Sequence, residues 1–114
     1  MRVSTVTSGR AGERRVRRHY RLRGYRVLAA NTRAGGNEID LVLRRGNRIV
    51  FCEVKARGGP TFGDPLDAVG AEKQRRVRRA AAAWLASRPE LGGLEIAFEA
   101  AAVRGRRVER SGFT

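Results

Sequence analysis

Apolar positions recur at two different periods along the chain, and the changes of period mark its elements. Ser8 can cap a helix that runs to about Arg23, where Gly24 supplies a stop. Within it Glu13, Val16 and Tyr20 recur at i, i+3 and i+7, so Glu13 shares the apolar face of an otherwise arginine-rich helix. Residues 25–31 (YRVLAAN) read as a strand and residues 31–36 as a polar loop containing glycine. From Asn37 to Leu43 the period drops to two, with Ile39, Leu41 and Leu43 on one face and Glu38, Asp40 and Val42 on the other. Gly46 and Asn47 make a turn, and residues 48–56 alternate again, which predicts a β-hairpin. Residues 61–70 (TFGDPLDAVG) read as a loop leading into a helix that Asp67 can cap. Lys73, Val77, Ala80, Ala81 and Trp84 share one face of that helix, and Pro89 ends it. Residues 94–103 read as the last core strand, followed by a turn at Gly105 and a tail. The pattern predicts a single α/β domain over residues 1–114, with a mixed sheet flanked by helices.

Composition narrows the setting. No stretch approaches the ~18 apolar residues of a membrane span, and the first ten residues, MRVSTVTSGR, lack the apolar run of a signal peptide. A cytoplasmic protein without membrane contact is expected. The lone cysteine, Cys52, cannot form an internal disulfide, and with one histidine, His19, there is no Cys/His metal cluster. Cys52 reads as a small buried residue and His19 as surface or packing. The net charge of +14 favours a polyanionic partner such as nucleic acid. Residues 1–35 hold ten arginines against Glu13 alone, and residues 71–88 hold six basic residues against Glu72. The two basic segments flank a middle stretch in which acids and bases balance, the arrangement of a phosphate-binding rim around a site. Arg14, Arg15, Arg17 and Arg18 on the first helix, with Arg75, Arg76, Arg78 and Arg79 outside the apolar stripe of the second, are the expected phosphate contacts. Lys73 either reaches a phosphate near the site or turns its ammonium to solvent.

Hairpin register supplies the candidate chemistry. A two-residue turn at Gly46 and Asn47 pairs Arg45 with Arg48, and continuing the ladder sets Asp40 opposite Glu53 and Glu38 opposite Lys55. Directly opposed side chains lie ~4.5–5.5 Å apart, so two carboxylates there repel unless a proton or a cation lies between them. Oxygen donors suit magnesium or manganese. Lysine is used at only two of the 25 basic positions, Lys55 and Lys73, so arginine is the default wherever charge alone is wanted. A lysine amine can lose its proton where a guanidinium cannot, and Lys55 lies two residues beyond Glu53 on the same strand face. A structural ion pair with Glu38 or Glu53 is the plainer role for Lys55.

An Asp…ExK hairpin following a glutamate-bearing helix resembles the PD-(D/E)xK nuclease superfamily. More specifically, GERRVRRHYRLRGYRVLAANTRAGGNEIDLV, then VFCEVKAR, then FGDPLDAVGAEKQRRVRRAAAAWL and a closing strand resemble the YraN-like bacterial family over nearly the whole chain. That family's motifs run GE…GY.IL..N.R…GEIDL…VEVK.R…FG.P..AV…K. This chain departs from them with Asn37 for a glycine and Glu99 for an aspartate, and carries Ile39 where superfamily nucleases often have proline. The resemblance implies a restriction-endonuclease-like core close to the archaeal Holliday junction resolvases. It also implies metal-site acids at Glu13, Asp40 and Glu53, with Lys55 as the catalytic lysine. The expected activity is Mg2+- or Mn2+-dependent hydrolysis of phosphodiester bonds in DNA, branched DNA included. The alternatives are a nucleic-acid-binding module with a silent nuclease-like site and an RNA- or ribosome-associated basic protein. Oligomeric state is left open by the sequence.

Overall fold

The computed structural model describes residues 4–55 and 69–113, with side chains of the first helix described from Arg10 onward. The elements are α1 (Ser4–Arg21), β1 (Arg26–Ala34), β2 (Asn37–Arg45), β3 (Arg48–Lys55), α2 (Ala71–Ala86), a 3-10 turn at Pro89–Leu91, β4 (Glu95–Arg104) and β5 (Arg107–Phe113). The strands form one five-stranded sheet in sequence order. Neighbouring strands run antiparallel except β3 and β4, which are parallel, so the chain must cross over between them and α2 lies on that connection. Each helix buries one stripe against one face. Val16 and Tyr20 of α1 pack with Leu41, Leu43, Val50, Cys52 and Ala101, while Val77, Ala80, Ala81 and Trp84 of α2 pack with Val42, Ile49, Phe51 and Ala100. This α/β architecture, a mixed sheet flanked by two helices, is compatible with a restriction-endonuclease-like core. No described helix is long and apolar enough to cross a membrane.

The β2–β3 register follows the turn arithmetic, from Arg45 opposite Arg48 to Leu41 opposite Cys52. Several boundaries differ from expectation. α1 begins at Ser4, so Ser8 lies inside it and is not its cap. β1 continues through Ala34, because Thr32, Arg33 and Ala34 pair with Ile39, Glu38 and Asn37; the expected loop shrinks to Gly35 and Gly36. Those glycines take φ of +59° and +80°, the left-handed conformations that a two-residue hairpin turn of this kind requires. The N-cap of α2 is Gly70, not Asp67, which lies outside the described residues; without a side-chain cap, only the Gly70 carbonyl opens the helix by accepting from Gln74. The tail beyond Gly105 is strand β5, paired along β4 from Arg104–Arg107 to Phe98–Phe113. Ile39 also leaves its expected face, joining the α2-side cluster while Leu41 and Leu43 join the α1 side. This happens just past the last β2–β3 pair, where Asp40 and not a backbone carbonyl takes the next strand N–H.

Candidate active site

The acids gather where the β2–β3 ladder ends. One step past the Leu41–Cys52 pair, Asp40 Oδ2 accepts the backbone N–H of Val54 at 2.9 Å. Glu53, beside it on β3, is 4% exposed, and its Oε2 lies 3.4 Å from Lys73 Nζ on α2. Burial pushes the Glu53 carboxyl up to about 7; the Asp40 charge adds to the rise, while Lys73 and Lys55 oppose it. Asp40 is raised as well, by burial and by the charges of Glu13 and Glu38, against the Val54 N–H and Lys73. Burial is the leading cause for both carboxyls, and neighbouring negative charge adds to it.

Other expected members stand further back. Glu13 of α1 is half-buried, and its Oε1 accepts a hydrogen bond from Asn31 Nδ2 at 2.9 Å. Asn31 holds φ of +50°, uncommon for a residue other than glycine, so the β1 backbone is bent at the point where its amide meets Glu13. Among the described residues no group of three or more His, Cys, Asp or Glu is placed to hold a metal ion. Glu13 and Glu38 both raise Asp40 through their charge, and Asp40 in turn raises Glu53. Lys55 is half-buried at the end of β3, opposite Ala102, and its charge on Glu53 is a smaller influence than that of Lys73. Glu38 sits across from Arg33 on β1, and its expected pairing with Lys55 lies beyond the last β2–β3 pair, Leu41 with Cys52. Sequence reasoning missed Asn31, and it singled out Lys73 without its partner Glu53. An asparagine in the middle of a strand was the available signal for the first; the bias against lysine already marked the second.

The arginines expected to contact phosphates differ in their surroundings. Arg33, Asn37, Glu38, Lys73 and Arg76 line a groove of about 210 Å3 between the β1–β2 hairpin and α2. Arg75 and Arg76 both pair with Glu72, at 2.8 and 3.5 Å. Arg78 lies over the Phe98 and Phe113 rings, its guanidinium 5.9 and 5.6 Å from their centroids, and Arg79 is exposed. On α1, Arg14, Arg15 and Arg18 are exposed and Arg17 is half-buried; Arg15 and Arg18 share a second groove with His19, Arg23 and Arg106. Burial, and then Arg23 and Arg110, lower the His19 pKa. Across the sheet, buried Glu99 accepts from the Tyr20 hydroxyl and pairs with Arg48 at 3.2 Å and Arg110 at 3.7 Å, a satisfied packing network. Cys52 is fully buried beneath Tyr20, and burial pushes its thiol up.

Comparison with known proteins places these residues in a shared frame. The model of the uncharacterised protein family UPF0102 matches residues 12–107. This chain belongs to UPF0102. It is 44% identical to the UPF0102 protein of Methylobacterium nodulans over 109 residues, covering 96% of this chain and 83% of the relative. With the UPF0102 protein of Nitrobacter winogradskyi it shares 39% over 110 residues, 96% of this chain and 92% of the relative. A UPF0102 protein of a Parafrankia strain is 47% identical over 89 residues, 78% and 75% of the two chains. The UPF0102 match spans Glu13, Asn31, Asp40, Glu53, Lys55, Lys73 and both basic helical segments.

Proposed function

We propose that this UPF0102 protein is a Mg2+- or Mn2+-dependent endonuclease that hydrolyses phosphodiester bonds in DNA, branched DNA included. The observation that carries the reading is the buried Glu53 with the half-buried Asp40 where the β2–β3 ladder ends, with two lysines acting on Glu53. The donor set fits the metal: Mg2+ is commonly held by one or two carboxylates together with waters and substrate phosphates. Asp40 and Glu53 hold the cation, and Glu13, fixed by Asn31, orients the surrounding shell. A bound divalent cation supplies charge neutralisation at the phosphate and lowers the pKa of attacking water. Lys55 positions that water or takes its proton, a role its amine can perform and a guanidinium cannot. Arg14, Arg15, Arg17, Arg18, Arg75, Arg76, Arg78 and Arg79 supply the electrostatic rim for the nucleic-acid backbone. The PD-(D/E)xK pattern of Asp40, Glu53 and Lys55 supports the same assignment.

Thermal unfolding with and without Mg2+ or Mn2+ tests the metal site, since a ligand bound only by the native state stabilises it by mass action. Wild type should melt higher with metal, and Asp40→Asn should lose the shift. Lys55→Met should keep the shift and lose cleavage. A second reading, a nucleic-acid-binding module with a silent site, is favoured by the lack of a third acid beside Asp40 and Glu53 among the described residues. Metal and DNA binding with every DNA and RNA substrate left intact, and Lys55→Met indistinguishable from wild type, would select it.

A further inference from the structure

Lys73 has two sets of neighbours. Its Nζ lies 3.4 Å from Glu53 Oε2, and its charge reaches Asp40 as well. Its side chain also lines the groove of about 210 Å3 shared with Arg33 and Arg76, and it is 38% exposed, so the ammonium is not locked in place. Helical spacing sets Lys73 beside Arg76, three residues on. Arg33 is fixed at the mouth of the same groove by its hydrogen bond to the Gly36 carbonyl, at 3.1 Å. The groove thus presents two guanidinium groups beside the Glu38 carboxylate, with Arg76 also 3.5 Å from Glu72, and a lysine with a four-carbon stem can reach either the carboxylates or the groove.

We propose that Lys73 is an exchangeable counter-cation: it neutralises Asp40 and Glu53 while no metal is bound, and a divalent cation displaces it into the Arg33–Arg76 groove, where it binds a substrate phosphate. The proposal rests on the reading of Asp40 and Glu53 as the cation site. An ammonium 3.4 Å from Glu53 competes with a divalent ion for the same oxygen. Once displaced, the ammonium adds a third positive group to a groove that already holds Arg33 and Arg76. Metal and phosphate therefore help each other bind, and by linkage each strengthens the other by the same factor. A nuclease wired this way holds its cation weakly until the nucleic acid arrives.

The test is the affinity for Mn2+ by calorimetry, with and without a phosphorothioate-backbone oligonucleotide that resists cleavage, on wild type, Lys73→Met and Lys73→Gln. Arg107→Gln, the loss of an exposed charge on β5, is the control. Without oligonucleotide, both Lys73 variants should bind Mn2+ roughly five- to ten-fold more tightly than wild type, the scale of an ordinary coupling. With oligonucleotide, Mn2+ affinity should rise in wild type and in Arg107→Gln, and the rise should shrink in both Lys73 variants. Equal Mn2+ affinity and equal coupling in wild type and the Lys73 variants would overturn the exchange and leave the metal site standing. Failure of wild type to bind Mn2+ at all would overturn the Asp40–Glu53 reading itself, and the exchange with it. Lys73→Gln keeps the result decisive if Lys73→Met fails to fold.

Discussion

Glu53 is an acid at a strand position that solvent barely reaches, and its behaviour with pH follows from that. Its carboxyl titrates near 7 in the folded chain, above the ordinary value of 4.5 that it regains on unfolding. Between those limits the native state keeps a proton that the unfolded chain has released. The contribution to stability is therefore full below about pH 4.5 and is lost as pH rises through about 7. Without metal, the stability difference between wild type and Glu53→Gln should change across this window by on the order of 2 to 3 kcal/mol, with wild type losing ground as pH rises. Urea unfolding of both proteins at pH 5 and pH 8 measures it; a difference independent of pH would contradict the shift. Asp40→Asn should leave the metal-free protein equally or more stable, because an amide oxygen can still accept from Val54 N–H and the negative charge acting on Glu53 is removed. Urea unfolding without metal checks this as well, and a loss above about 1 kcal/mol would contradict it. At this scale the turn arithmetic carries the register from Arg45 opposite Arg48 to Leu41 opposite Cys52, one step short of Asp40 and Glu53. Lys73 beside Glu53 was not legible in the sequence, since a helix face tells which side is buried and not which strand residue it meets. Asn31 escaped for a related reason: its role depends on how α1 docks on β1.

At the scale of elements, the β1–β2 hairpin brings Arg33 and Asn37 over α2, and Gly35 sets how close they come. Its φ is +59°, and a Cβ there would lie 3.1 Å from Ala83 Cβ and 3.4 Å from the Arg79 carbonyl. Gly35→Ala should cost about 1 kcal/mol for the backbone and about 1 more for the contact with α2. Gly46→Ala is the matched control: its φ is +61° and nothing lies within 4 Å, so only the backbone cost of about 1 kcal/mol applies. Denaturant melts of the two variants compare them directly, and equal losses would mean that the hairpin does not press on the helix. The central hairpin was readable because the turn pair Gly46–Asn47 and the alternation on both sides agree. β1 was cut short because the polar residues 31–34 look like a loop until the pairing with β2 is known. β5 was missed for the same physical reason, since an edge strand with one exposed side needs few apolar residues to earn its place in the sheet.

For the molecule as a whole, the charge map and the site make separable claims. If the arginines of α1 and α2 contact phosphates, log affinity for duplex DNA should fall linearly with log salt, by about 0.9 per phosphate neutralised, and removal of one contacting arginine should flatten the slope by about one unit. Binding titrations over a range of salt concentrations check this, and a flat response would contradict nucleic-acid binding. That outcome concerns the rim and not the chemistry. The most direct measurement of the chemistry is strand cleavage of linear, flapped and four-way DNA by wild type and Glu53→Ala, each with Mg2+ or Mn2+ and with EDTA. Metal-dependent cutting of at least one of these substrates by wild type, abolished by EDTA and by Glu53→Ala, is the predicted result. Intact substrates throughout, or cleavage that Glu53→Ala leaves unchanged, would contradict it.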